Sequence, residues 1–256
     1  MDDRSLLEGE GRVMTLLGHM GELKDRLIRI AMALVVCSAA TMAFATRVLE
    51  WLIVPVAGHE DKVKLIATTP SAAFGMYVKL ALFSGAVLAM PFIVYQVLRF
   101  VLPGLTGREK RALLWVIPGA TFFFLGGAAF AYWVMIPPSL SFLFGFWSEF
   151  IDQMWTIEEY LAFVTGLVFW VGVSFETPLI MAFLSRLGVV TAQQMLAVTK
   201  YAIVGIAVLA AFITPTPDWL NMTLVMVPLF ALYFLGILLA WLARPRVAPT
   251  GVSLGM

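Results

Sequence analysis

Three glutamates carry the chemistry that this sequence offers: Glu22, Glu109 and Glu176. Glu22 lies in His19-Met20-Gly21-Glu22-Leu23-Lys24-Asp25-Arg26-Leu27, where it reads as part of the solvated face of an amphipathic helix whose buried stripe is Met20, Leu23 and Leu27. Glu109 closes Thr106-Gly107-Arg108-Glu109, the spacing of a capping box at the start of a helix. Glu176 differs from both because it lies inside an apolar stretch, flanked by Ser174, Thr177 and Pro178. At about 26 Å of helix from Glu159 and about 15 Å from Arg186, it sits at membrane depth. An ionisable group there costs roughly 2.5 to 3.5 kcal/mol, so it must face protein or a wet cavity. Two readings fit it. One is a neutral acid bonded to a neighbouring helix for packing; the other, which we favour, is a polar dock for a substrate or a partner helix.

Other chemistry is poorly provided for. The chain has no H-E-x-x-H zinc helix, no phosphate-cradling Gly-rich loop ending in Lys-Ser/Thr and no G-x-S-x-G elbow. The single cysteine, Cys37, can form neither an intramolecular disulfide nor a Cys-based metal cluster, and only His19 and His59 remain as nitrogen ligands, neither within an apolar run. Neither enzymatic activity nor a cofactor or metal is expected. With 17 basic and 16 acidic residues, a net charge of +1 gives no basic face with which to displace counterions from nucleic acid.

The elements that position these residues follow from composition. The 256 residues are 61% hydrophobic and only 13% charged, too little polar surface to wrap an apolar core in water. Runs 30–46, 80–98, 112–148, 201–217 and 219–243 contain no Asp, Glu, Lys or Arg. About 20 apolar residues cross a bilayer as a helix. On that ruler the pattern predicts an all-α polytopic membrane protein with six spans, at about 29–49, 71–98, 112–136, 160–185, 192–213 and 220–243. Residues 1–28 form an arm before this bundle and 244–256 a tail after it.

Pro137-Pro138 is expected to end the third span, and residues 138–159 to form an amphipathic cap at the outer interface. Thr156 with Glu159, and Thr191 with Gln194, have capping-box spacing before the fourth and fifth spans. The uncharged part of the fifth, 201–213, reaches only about 20 Å, which calls for a thinned bilayer or a snorkelling Lys200. Pro91, Pro118, Pro178 and Pro228 are expected either to curve their helices into a concave wall or simply to adjust packing.

Lys and Arg accumulate on one side: the arm, the connections after the second and fourth spans, and the tail hold 13. The other side holds Arg47, Lys62 and Lys64, with Lys79 a little way into the second span. Both termini are therefore expected in the cytoplasm. The acidic residues among the first 29 argue against a secretory signal there, although Ala43 and Ala45 form the small-x-small pattern of a cleavage site.

Five blocks, in order, resemble the TatC family, the multispanning receptor subunit of the twin-arginine protein translocase. Residues 19–27 are similar to its H-L-x-E-L-R-x-R-L signature, with Met20 in place of a Leu and Lys24 in place of an Arg. Pro91-Phe92-Ile93-Val94-Tyr95-Gln96-Val97 running into Phe100-Val101-Leu102-Pro103-Gly104-Leu105, then Glu109-Lys110-Arg111, are the second and third blocks. Gly172-Val173-Ser174-Phe175-Glu176-Thr177-Pro178 and Thr214-Pro215-Thr216-Pro217-Asp218 are the fourth and fifth.

The resemblance implies a receptor that binds twin-arginine signal peptides of folded cargo and recruits the single-span proteins TatA and TatB. Export would draw on the proton-motive force across a bacterial or archaeal cytoplasmic membrane. It implies that Glu22 and Glu109 belong to the signal-recognition site with Lys24 as a neighbour, and that Phe100, Pro55, Pro91 and Asp218 match positions of family motifs or of functional influence. Carboxylates suit that task, because they accept the bidentate fork of a guanidinium, which a lysine cannot make. Setting the resemblance aside, two other classes of function are to be weighed: a secondary transporter using Glu176 as its proton site, for which inverted repeats and paired broken spans would be the signature, and a purely structural scaffold.

Overall fold

The computed structural model describes the backbone of residues 4–57, 64–101, 107–146, 148–150, 154–214, 216 and 218–243, and the side chains of these other than 4–17, 19, 57, 64, 101 and 107–116. It is mostly helical. Helix α1 (Arg4–Met42) is uninterrupted, so the charged arm and the first apolar run are one rod. No proline intervenes between them, and the helix runs through Gly18 and Gly21. The chain then turns through 82° into α2 (Ala45–Ala57), which carries Pro55 half-buried in its interior. Thr41 Oγ1 donates within its own helix to the Cys37 and Ser38 carbonyls, and across to the Ala81 carbonyl at 2.9 Å, at the point where α1 ends.

After strand β1 (Lys64–Ile66) come α3 (Ala72–Val101), with Pro91 inside it, and α4 (Gly107–Phe130), with Pro118. Next come a π-helical turn (Ala131–Met135), α5 (Ile136–Gly145) and strand β2 (Met154–Thr156). Then follow α6 (Ile157–Ser174), α7 (Thr177–Arg186), α8 (Ala192–Ala197), α9 (Thr199–Ile213) and α10 (Trp219–Leu242). The two strands pair in parallel with Leu65 opposite Trp155, a minor departure from an all-α chain.

Among the described residues, four helical stretches are long and apolar enough to cross a membrane: Ala72–Phe100, Ile117–Gly145, Ile157–Arg186 and Trp219–Leu242. The bent pair Met20–Met42 with Ala45–Val56 makes a fifth if it counts as one. Helix α9 is 15 residues, about 22 Å, and is separated from α8 at Val198, where the backbone leaves the helical region. Lys200 is exposed in the first turn of this short helix, its Nζ 5.0 Å from the Tyr201 ring centroid.

Pro137-Pro138 does not end the third stretch. The π turn lengthens the hydrogen-bond register just before the two prolines, and they take the first turn of α5, where a missing N–H costs nothing. Residues up to Gly145 therefore extend the apolar helix rather than forming an amphipathic cap; beyond them the described chain contributes β2. Two of the three expected capping boxes are present, and that of Thr106 with Glu109 lies outside the described residues. The Glu159 N–H donates to Thr156 Oγ1 at 3.2 Å and the Thr156 N–H donates to Glu159 Oε2 at 3.3 Å; the corresponding Thr191 and Gln194 bonds are 3.2 and 2.8 Å.

The chain divides into two compact units, Met1–Val54 with Ala67–Pro118, and Pro55–Ile66 with Gly119–Met256. In the first, α1 packs along α3. They approach so closely that a Cβ on Gly85 would lie 2.6 Å from both the Cα and the backbone N of Ser38. The second unit has a core of Phe124, Tyr132, Met135, Ile136, Leu140, Phe144, Tyr160, Val164 and Leu167, and in it α10 packs against α7 and α9. Large apolar side chains such as Phe122, Phe212 and Trp241 face outward, as a helix in lipid requires.

Candidate functional site

In the first unit the polar cluster is built where α1 and α3 run side by side. Glu22 and Arg26 are one helical turn apart, and both Arg26 Nε, at 3.1 Å, and Nη2 donate to Glu22 Oε1. Arg26 Nη1 reaches across to α3 and donates to Gln96 Oε1 at 3.3 Å. Arg26 and Gln96 are buried, 6% and 4% exposed, whereas the Glu22 side chain keeps 36% of its surface open. Lys24, on the face opposite Arg26, and Asp25, about 100° round the helix from it, are both exposed. Phe100 lies one turn beyond Gln96 on α3 and is half-buried. Pro91 stands in the same helix, half-buried. Glu109 falls in the first turn of α4, but its side chain, like Thr106 and its capping hydroxyl, lies outside the described residues, as do the side chain of His19 and the whole of His59.

Arg26 and Gln96 are the members of this cluster that the sequence alone does not single out. The spacing of Glu22 and Arg26 would have revealed their ion pair. No local signal connects Arg26 to a glutamine 70 positions later.

The second polar feature is Glu176. The long apolar stretch Ile157–Arg186 is interrupted there, because Pro178 has no N–H to offer the Ser174 carbonyl and its ring crowds that oxygen. The chain passes the obstruction in a tightened turn: the Glu176 N–H donates to the Val173 carbonyl at 3.1 Å, and α7 restarts with the Ile180 N–H on the Glu176 carbonyl at 3.0 Å. Ser174 Oγ turns back onto the Trp170 carbonyl at 2.7 Å. Glu176 is 4% exposed, and among the described residues Oε1 has no hydrogen-bond partner. Two glycines let neighbouring helices close on either side. A Cβ at Gly127 would meet the Phe175 ring at 2.6 Å, and one at Gly236 would lie 3.2 Å from Pro178 Cα.

Asp218 has a local role as the N-cap of α10. Its Oδ1 accepts from the Asn221 N–H at 2.7 Å and its Oδ2 from the Asn221 side-chain amide at 2.9 Å. Partial burial pushes the Asp218 carboxyl up, but hydrogen bonds from the Thr216 side chain, from the Asn221 backbone and side chain, and from the Leu220 backbone together outweigh it and hold the group below the usual carboxylate range.

This arrangement has close relatives. The family model described as "Sec-independent protein translocase protein (TatC)" matches residues 18–228. The chain belongs to the TatC family. It is 38% identical to the TatC protein of Synechocystis sp. over 224 residues, covering 88% of this chain and 87% of that one. It is 37% identical to the Deinococcus radiodurans TatC protein, covering 90% and 86% respectively. A crystal structure described as the twin-arginine translocase receptor TatC superposes with a TM-score of 0.78 at 35% identity, covering 88% of this chain and 99% of that one. As a TatC protein, the chain is a multi-pass membrane component of the Tat translocase and takes part in protein transport.

Proposed function

We propose that this TatC chain is the signal-peptide receptor and core subunit of the translocase, grasping the paired arginines of an export signal with Glu22 and Glu109 at the cytoplasmic face of an inner membrane. The observation that carries this reading is the Glu22 carboxylate, partly open at its side chain, already holding a guanidinium through two nitrogens. A carboxylate that accepts two guanidinium nitrogens on one oxygen is suited in kind to an arginine arriving from outside the chain, which it could grip by a two-oxygen fork. Phe100, one turn past Gln96, supplies apolar contact beside it, and Lys24 an exposed neighbouring charge. Family membership favours this reading over a proton-coupled solute transporter.

In this reading α1 with α2, the four long apolar stretches and the short α9 make six crossings with both termini inside, and Pro-bent helices enclose a concave wall for the apolar part of the signal. Pro55 and Asp218 then lie toward the outer side, Asp218 fixing the start of the last crossing. Glu176 is the intramembrane polar site, meeting a polar side chain from the single span of TatA or TatB. Because it is 4% exposed, that side chain has to enter between the helices packed around it. The proton-motive force drives passage of the folded cargo.

The test is crosslinking of a twin-arginine signal to the chain in membrane vesicles. Yield should fall when the signal carries twin lysines, and again in Glu22→Ala and Glu109→Ala chains. Equal yields across all of these would refute the receptor reading.

A further inference from the structure

Arg26 cannot simply be a surface counter-ion, because it is buried and tied at both ends. Its Nε and Nη2 converge on one oxygen of Glu22, and its Nη1 is anchored on the side chain of another helix. A guanidinium is planar and rigid, so fixing Nη1 on Gln96 fixes the direction of the opposite edge, and with it the position of the Glu22 oxygen on which that edge converges. Left to itself, a glutamate on a helix surface samples several rotamers, and each must be frozen out when a ligand binds.

We propose, building on the receptor reading above, that Arg26 braced by Gln96 is a positioning residue: it holds the Glu22 carboxylate in the orientation that receives an arginine of the signal. Gln96 thereby makes α3 a determinant of affinity without touching the signal itself. The brace pins Oε1, which restricts the rotamers open to the Glu22 side chain before cargo arrives, so the incoming guanidinium meets a more preorganised acceptor. Lysine at position 26 would keep the charge but offer a single ammonium in place of three directed nitrogens.

The test measures the Kd of a fluorescent twin-arginine signal peptide for membrane vesicles containing the full chain, normalised to the amount of chain present. Arg26→Lys and Gln96→Leu are each made alone and in a Glu22→Ala background. Gln96→Leu should weaken binding about fivefold, the value of one lost hydrogen bond, and Arg26→Lys by about tenfold, since its lost bonds involve charged partners. In the Glu22→Ala background both changes should have less than about a twofold further effect, because there is no carboxylate left to orient.

Equal losses in both backgrounds would show that the two residues only join α1 to α3, and would overturn the inference while leaving the receptor reading intact. Unchanged binding in the single variants would do the same. Tighter binding in Arg26→Lys would make Arg26 a competitor of the cargo arginine, again overturning it. Unchanged binding in Glu22→Ala alone would sink the receptor reading and this inference with it.

Discussion

Replacing Gly85 with alanine should force α1 and α3 apart at their closest approach. The added Cβ would lie 2.6 Å from both the Cα and the backbone N of Ser38, short of ordinary carbon contact by about 1 Å. Those atoms are backbone, so no side-chain rotation relieves the clash; one helix has to move. A displacement of that size takes the bond from Thr41 Oγ1 to the Ala81 carbonyl, now 2.9 Å, beyond hydrogen-bonding range. Overpacking costs about 1–3 kcal/mol and the lost bond about 1 kcal/mol, so the expected destabilisation is about 2–4 kcal/mol. Titrating SDS into chain purified in mixed micelles, with helicity followed by circular dichroism, reads this as unfolding at lower SDS. Ser38 supplies an internal control. Its Oγ is buried without a partner among the described residues, so Ser38→Ala alone should be neutral or mildly stabilising. It should not rescue Gly85→Ala, because the Cα and N of residue 38 remain in place. Parental stability in Gly85→Ala, or full rescue by Ser38→Ala, would refute the reasoning.

Other outcomes follow from the remaining sites. Glu176→Leu should leave the chain at least as stable in the same SDS titration, since among the described residues Oε1 has no hydrogen bond to lose, yet should reduce crosslinking to TatA or TatB; unchanged crosslinking removes the docking role. Asp218→Ala should cost about 1 kcal/mol through loss of the α10 cap, and Asp218→Asn much less, because an amide oxygen still accepts the Asn221 N–H. Since the folded carboxyl titrates below its unfolded value of about 3.9, its contribution is complete above that pH and fades as pH falls through the lowered folded value. Stability of the parent relative to Asp218→Ala should thus be constant from about pH 5 upward and shrink below about pH 4, and a gap that instead widened in acid would contradict the cap geometry.

Local chemistry was legible in the residues. The capping boxes of Thr156 with Glu159 and Thr191 with Gln194 formed as their spacing predicts, because every atom involved lies within four residues. The apolar runs marked membrane helices because hydrocarbon tolerates no unpaired backbone, and that constraint acts on each stretch separately. Pro137-Pro138 misled for an instructive reason: a proline pair removes two donors, but whether the helix ends depends on whether the preceding turn can re-register, and here a π turn does so.

What sequence alone determined was therefore the membrane-embedded class of the chain, its capped helix starts and the acidic residues worth watching, all properties of short segments and their solvent. Tertiary structure decided which of those residues act together. Arg26 meets Gln96 because α1 and α3 pack along one another, and beside the buried Glu176, Phe175 fits against Gly127 and Pro178 against Gly236. Each of these contacts joins positions tens of residues apart, and close packing between helices depends on the shapes of both faces at once, which no single stretch of sequence contains.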